Sequence, residues 1–366
     1  MSKHNAHNER IKHRYFCYLK EAQRYSEATV DAVAKALDRF ETHTKVRDFK
    51  AFRYQQAVAF KHHLAEQRNQ QNGEVLSKAT AHATLAHLKR FFHWLAGQPG
   101  YKSRLQYADA DYFCLSENDT RVASTRREPG GPTLEQVKHV IGAMPDRTDL
   151  ERRDQALIAF TLLTGARDSA IASMKLKHVD LVVQRVHQDA REVHTKFSKT
   201  FTTYFLPVGE DVRSIVVNWV TWLRVVKLWG NDDPLFPATH VGLGASRRFE
   251  AAGLERSHWR SAGPIRAIFR SAFTRAGLPY FNPHSFRHTL ARFGETRCRN
   301  IEDFKAWSQN LGHDGVMTTL TSYGSVSSQR QAEIMRELAA PRIGGSADAT
   351  KLLEAMRELF SKIKAG

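Results

Sequence analysis

Cysteine is scarce in this sequence: Cys17, Cys114 and Cys298 are the only three in 366 residues, and no two form a CxxC pair. A dithiol redox or zinc pair is thereby excluded, and unpaired thiols fit a reducing cytoplasm. Long apolar runs are missing as well. Nothing approaches the roughly 18 consecutive apolar residues that a bilayer span needs. The stretch Met1–Lys12 is polar and His-rich, with no apolar segment of the secretory kind. A protein of the bacterial cytoplasm, associated with the nucleoid, is expected. Acidic side chains are in deficit, 38 against 55 basic ones, for a formal charge of +17 and a pI near 9.9. Such an excess favours a polyanionic partner, nucleic acid ahead of an anionic membrane surface. What remains is an ordinary globular composition in a chain long enough for two domains, each with its own core.

The first third reads as helices. Ile11, Tyr15, Tyr18 and Ala22 suggest one, and Ser26 can cap a second carrying Val30, Val33, Leu37 and Phe40. Phe60 and Leu64 lie on a third with Tyr54, Ala57 and Lys61. Ser77 opens another, striped by Leu85, Leu88, Phe92 and Leu95 and ended by Gly97. Residues 1–116 therefore form a helical domain. Residues 117–133 hold Pro, Gly, Arg121, Arg126 and Arg127 without apolar periodicity, and read as a linker. Its arginines either stay solvated or cross a phosphate backbone.

Thr133 can cap the next helix. Helical stretches Leu134–Ala143 and Leu150–Thr164 precede a β-rich one, Val179–Val186 and Glu192–Phe205, that ends at Pro207. The remainder of a second domain, 134–330, reads as mostly helical, broken at Asn231–Pro237 and Gly242–Gly244. Residues 331–366 form a helical extension with Leu352, Met356, Leu359, Phe360 and Ile363 on one stripe. The fold class expected is mainly α with a small β-sheet (α+β).

Four segments carry polar residues suited to phosphate chemistry. In Thr164-Gly-Ala-Arg167, a glycine turn sets an arginine at a helix start, where its planar fork can face a phosphate. The hairpin candidate VHTKFSKTFTTYFLP offers Lys196 and Lys199. In NPHSFRHTLARFG, Pro283 begins a helix whose first turn carries His284 and Arg287 on one face. His284 and His288 have a metal-pair spacing, but Ser285 stands where the zinc-protease pattern needs Glu and no third ligand is near, so no metal or other cofactor is expected. In NLGHDGVMTTLTSYGSV, His313 follows Leu-Gly and Tyr323 comes later, between Ser322 and Gly324. Taken alone, the Arg167 segment reads more readily as a surface arginine and Tyr323 as a packing or hydrogen-bonding residue.

Their order is distinctive. Arg, a hairpin Lys, His-x-x-Arg, Leu-Gly-His and then Tyr resembles the tyrosine recombinase/phage integrase family, and the helical first third, with Phe91-Phe-His-Trp94 late in its last long helix, is similar to that family's core-binding domain. The likeness runs from about Ser26 to Val326. It implies a C-shaped clamp of two domains on double-stranded DNA. It implies further that Arg167 and Arg287 grip the scissile phosphate, that His284 and His313 hydrogen-bond it or move a proton, and that Tyr323 attacks to give a 3′-phosphotyrosyl link. Lys199 is implied as general acid, because family hairpins place that lysine about eight residues before a closing Pro, here Pro207; Lys196 then contacts phosphate. The acidic residue that the family carries three after the first Arg is replaced by Ala170, with Asp168 or Asp180 as the available substitutes.

Further backbone contacts are expected from Lys78, Lys89 and Arg90 on one helix and from Arg266, Arg270 and Arg275 at helical spacing, each equally readable as a solvated face. The resemblance also implies a tetramer on paired recombination sites, accessory DNA-bending or directionality proteins, and a C-terminal helix docking on a neighbouring protomer or on its own. Integration, excision or transposition of a mobile element is the expected task. A type IB topoisomerase-like relaxing enzyme and a non-catalytic DNA-binding regulator on the same fold are the rivals.

Overall fold

The helix and strand signals above are borne by a computed structural model that describes residues 4–68, 73–124, 130–243 and 247–313. Its contacts divide the chain into two units, Met1–Arg126 and Arg127–Gly366.

The first unit is helical: α1 (Ala6–Cys17) running into a π-helical turn at Tyr18–Ala22, α2 (Glu27–His43), α3 (Tyr54–Glu66), α4 (Lys78–Ala96), α5 (Tyr107–Asp111) and α6 (Glu117–Ser124). The caps are local. The Ser26 hydroxyl accepts from the Thr29 N–H at 3.4 Å and the Ser77 hydroxyl from the Thr80 N–H at 3.2 Å, each relieving an orphan donor of a first turn. The apolar stripes of α2, α3 and α4 close on an aromatic core. Phe40 meets Phe60, Phe92 and Phe113 edge-on at 5.3, 5.4 and 5.5 Å, and Phe52 stacks on Phe92 at 3.9 Å. The stretch expected as a linker from residue 117 begins instead as the helix α6. Ser116 caps it, its hydroxyl accepting from the Asp119 N–H at 3.1 Å, and Glu117 and Asp119 suit the first turn. No α6 side chain is buried, so no apolar stripe marked the helix in the sequence.

The second unit opens with α7 (Leu134–Gly142) and α8 (Asp149–Thr164), each started by a capping box, Thr133 with Gln136 and Thr148 with Glu151. Every α8 residue from Ala156 to Thr164 is buried, which makes α8 the spine of the core. After α9 (Asp168–Ile171), β1 (Val179–Asp180), β2 (Arg185–Gln188) and β3 (Phe201–Tyr204) form an antiparallel sheet in that order, with Arg185 opposite Tyr204 and Gln188 opposite Phe201. Of the stretch 192–205 expected as strand, only β3 is one; the preceding residues make a loop with a 3-10 turn at Lys196–Ser198. Next come α10 (Glu210–Val225), a two-stranded ribbon of β4 (Ala238–Leu243) and β5 (Phe249–Glu255), and then α11 (Gly263–Arg275), α12 (Ser285–Arg297) and α13 (Ile301–Asn310).

The ribbon overturns the helical expectation for that region. Its apolar residues Val241, Leu243 and Phe249 are exposed and its strands are rich in Gly and Ala, so neither alternation nor β-branched enrichment announced it. Among the described residues, no helix is long and apolar enough to cross a membrane.

Candidate active site

The Arg167 turn follows from the end of α8. Gly165 closes that helix in the left-handed region (φ 63°), its N–H donating to the Thr161 carbonyl at 2.9 Å. A Cβ at Gly165 would lie 2.8 Å from Leu311 and 3.2 Å from Leu290, so only glycine permits both the turn and the approach of those chains. Arg167 then caps α9 from an extended backbone, half-buried. The neighbouring Asp168 carboxylate accepts from Arg266 Nε at 2.8 Å and from the Ser169 N–H at 2.9 Å. Asp180, the other substitute considered for the missing family acid, instead accepts from the Val182 and Val183 amides at 3.1 and 3.0 Å in the β1–β2 turn. Ala170 is buried at 1% exposure.

Arg287 is the hub. On α12 it faces inward at 2% exposure, and its guanidinium donates to the Gly165 carbonyl at 2.7 Å, to the Leu311 carbonyl at 2.5 Å and to His313 Nε2 at 2.8 Å. These hydrogen bonds join segments that are 122 and 24 residues away in the chain. A guanidinium has donors only, so His313 Nε2 accepts, and the ring is neutral with its proton on Nδ1 in this arrangement. His313 is set by the end of α13: Gly312 turns left-handed (φ 70°), and the His313 N–H donates to the Ser308 carbonyl at 3.2 Å.

His284 stands exposed at the start of α12. Its pKa is lowered, first by desolvation and then by the positive charge of Arg287, Arg167 and Lys196, while Asp168 opposes them. The charges of both arginines and of one hairpin lysine therefore reach the same imidazole, which favours the neutral ring near pH 7. Lys196, in the 3-10 turn, is exposed with its ammonium 4.9 Å from the Phe197 ring. Lys199 ends that turn in extended backbone. Phe197 and Ser198 take left-handed φ of 60° and 50°, which turns the loop sharply between the two lysines. The base of the loop is stapled by Glu192, which accepts from Lys177 at 2.8 Å, bonds His178 Nε2 at 3.0 Å and holds a pKa of about 2 through those partners.

Two contacts of the site carried no sequence signal. Asn310 meets the backbone of Tyr204, and Gly312 lies against the Phe201 ring, which a Cβ would approach to 2.6 Å. Tyr323 and the extension 331–366 lie outside the described residues, as do Arg126 and Arg127. Of the other basic residues expected to meet DNA, Lys78 pairs with Asp119 at 3.1 Å, Lys89 with Asp111 at 2.9 Å and Arg121 with Glu117 at 3.7 Å. Arg266 pairs with Asp168 as described. Arg90 is exposed, and Arg270 packs over Tyr280 at 4.9 Å.

Residues 133–330 match the sequence model of the Phage integrase family, and residues 13–98 that of the phage integrase N-terminal SAM-like domain. The chain belongs to the phage integrase family, the tyrosine recombinases. Among its relatives is the tyrosine recombinase XerC of Stutzerimonas stutzeri, 23% identical over 309 residues, which cover 83% of this chain and 88% of that one. Another is the tyrosine recombinase XerD of Neisseria meningitidis serogroup B, 26% identical over 209 residues, covering 56% and 62%. The fold is that of a lambda integrase dimer solved on a COC′ core site (TM-score 0.60, 13% identity, 92% of this chain and 79% of that one). It is also that of the XerH recombinase solved with palindromic difH after cleavage (TM-score 0.58, 18% identity, 88% and 83%). Tyrosine recombinases are enzymes that break and rejoin DNA strands, and the Arg, His-x-x-Arg and Leu-Gly-His segments of this one meet at Arg287.

His288, one turn beyond His284, gives the site a pH signature. Burial, then the charges of His284, Arg292 and Arg287, lower its pKa from 6.5 to about 4. The unfolded chain takes up a proton below pH ~6.5 while the folded one declines it until about 4. Stability is therefore complete above pH ~6.5 and falls as pH drops toward 4, by on the order of 2 kcal/mol with allowance for solvent screening. Calorimetric Tm compared at pH 7 and pH 4.5 should show a smaller fall for His288→Gln than for the native protein. Parallel falls would remove His288 as the cause.

Proposed function

We propose that this protein is a site-specific recombinase that cuts and reseals DNA through a phosphotyrosyl intermediate on Tyr323. The observation that carries the reading is the buried Arg287 guanidinium joining the Arg167 turn to the Leu311–His313 segment, with His284 at the start of the same helix. Arg167 and Arg287 hold the non-bridging oxygens of the scissile phosphate and offset the charge that grows at phosphorus. The Tyr323 oxygen attacks and His284 takes its proton, a role that the neutral state favoured at His284 near pH 7 suits, while His313, its Nε2 engaged by Arg287, hydrogen-bonds the phosphate through its Nδ1 proton. The P–O bond to the 5′-oxygen breaks, and a hairpin lysine protonates the leaving group. The covalent link stores the bond energy, so a 5′-hydroxyl from another duplex reverses the step without ATP or metal.

Lys199 is the general acid in this reading and Lys196 a phosphate contact. One observation favours the reverse assignment: the charge of Lys196 reaches His284. A 5′-bridging sulfur in the DNA leaves as a thiolate without needing an acid, so the lysine whose alanine variant regains its rate on that substrate is the acid. Residues 1–116 together with α6 serve as the core-binding domain, the stretch from α6 to Thr133 as the connection, 134–330 as the catalytic domain and 331–366 as the exchanged extension of a tetramer on paired sites. Lys78, Lys89, Arg90, Arg121, Arg126, Arg127, Arg266 and Arg270 add backbone contacts, and accessory DNA-bending proteins shape the complex. The task is movement of a mobile element.

The test is a nicked suicide duplex carrying the protein's flanking DNA, read for a covalent adduct in denaturing gels. Adduct on one site and none on unrelated DNA supports a recombinase. Relaxation of any plasmid by a monomer points to a topoisomerase, and binding without adduct to a regulator. Binding should weaken by ~10³-fold or more between 50 and 200 mM salt if six or more phosphates are contacted; a flat salt response would contradict the backbone contacts.

A further inference from the structure

We infer that Asn310 is a positioning residue that locks the lysine-bearing hairpin to the His313 segment, so that general acid and phosphate-binding groups move as one body. The inference rests on the function proposed above and adds to it a role for Asn310, the first residue of the Asn-Leu-Gly-His segment, to which the sequence reading gave none.

The geometry is specific. Among the described residues β3 is an edge strand of its sheet, and none of them sets a neighbouring strand against the outward backbone groups of Tyr204. The Asn310 carboxamide stands in for one. Its oxygen accepts from the Tyr204 N–H at 2.7 Å and its nitrogen donates to the Tyr204 carbonyl at 2.9 Å. One planar amide thus satisfies both main-chain groups of one residue, as a paired strand residue does. The Thr203 hydroxyl, itself buried, returns a third bond to the Asn310 carbonyl at 2.9 Å. Two residues along the chain, Gly312 leaves room for the Phe201 ring at the other end of β3.

Each end of this clasp leads directly to chemistry. Upstream of β3 is the turn with Lys196 and Lys199; downstream of Asn310 are Leu311, whose carbonyl accepts from Arg287, and His313, whose Nε2 does the same. The hairpin loop is long, Lys196 is exposed and the backbone turns sharply between the two lysines, so beyond the Glu192 staple at its base its placement depends on how its strand is held. Asn310 lies 106 residues from Tyr204 and supplies that hold.

The amide is required as an amide. Aspartate keeps the acceptor for the Tyr204 N–H but sets a carboxylate oxygen against the Tyr204 carbonyl, replacing a hydrogen bond by a repulsion. Asn310→Asp should release β3 while leaving Arg167 and Arg287 in place. The expected result with the full chain is a single-turnover cleavage rate reduced ~10- to 100-fold on all-oxygen suicide DNA, a fraction of the ~10²–10⁴ that a general acid contributes. DNA affinity should stay within about twofold, and most of the rate should return on DNA with a 5′-bridging sulfur. Thr203→Val, which removes one bond of the clasp and conserves shape, should show the same pattern more weakly and serves if Asn310→Asp folds poorly. Hydrogen exchange reads the clasp without catalysis: the Tyr204 amide should exchange at least ~10-fold faster in Asn310→Asp. Equal losses on oxygen and sulfur substrates, or unchanged Tyr204 exchange, would overturn the inference. A native protein that forms no adduct on any DNA would instead overturn the proposed function, with the exchange measurement still reporting on the clasp.

Discussion

Tyr323→Phe is expected to abolish the covalent protein–DNA adduct, with cleavage reduced at least ~10⁴-fold and DNA binding unchanged. The substitution removes one oxygen and nothing else, so the hydrogen bonds that Arg287 makes to Gly165, Leu311 and His313 remain. A phenol has an unperturbed pKa of about 10. Its attack near neutral pH depends on positive charge around it and on a proton acceptor. Both are on hand around His284, whose pKa is lowered first by desolvation and then by the charges of Arg287, Arg167 and Lys196. Without the phenol no other group of that cluster can take its place: guanidinium does not attack phosphorus, and a phosphoimidazole adduct would be labile in acid where phosphotyrosine is not. The measurement is adduct yield on suicide DNA, with a gel-shift of the same duplex as the control. Undiminished adduct in Tyr323→Phe would move the nucleophile to another residue.

Much of this site could be read from the sequence because its parts are local. Gly165 before Arg167, His284 one turn before Arg287 and Leu311-Gly-His313 are each spelled out within a few residues, and the caps at Ser26, Ser77 and Thr133 use atoms no more than three residues away. What escaped is what depends on distant partners or on exposure. Helix α6 buries nothing, and the β4–β5 ribbon shows its apolar residues to solvent, so neither left a hydrophobic period to detect. The sharp turn between Lys196 and Lys199 is made by left-handed backbone at Phe197 and Ser198, residue types that do not advertise it. Asn310 takes its meaning from a strand far back in the chain. The missing family acid at Ala170 is likewise unreadable locally, since Asp168, two residues before it in the chain, is engaged with Arg266 from another helix.

Arg287→Lys should lower cleavage ~10²–10³-fold and also destabilise the second unit, by about 3 kcal/mol. The two effects share one cause. At 2% exposure the guanidinium spends its planar fork on the Gly165 and Leu311 carbonyls and on His313. An ammonium keeps the charge but concentrates it on one tetrahedral nitrogen, which lacks the spread of donors that reaches all three acceptors. Two carbonyls in a buried setting then lose their donor, and His313 loses the bond that fixes its tautomer. The Arg167 turn and the Leu311–His313 segment are no longer tied, so the phosphate loses aligned donors even where charge persists. Thermal unfolding and single-turnover cleavage separate the parts: the Tm shift measures the frame, and the rate at saturating DNA measures the phosphate grip. Guanidinium ion added to Arg287→Ala should restore part of the rate, since it carries the same planar donors into the vacated space. A lysine variant with native Tm and cleavage within about threefold of native would mean that charge alone suffices, and the hub role of Arg287 would have to be abandoned.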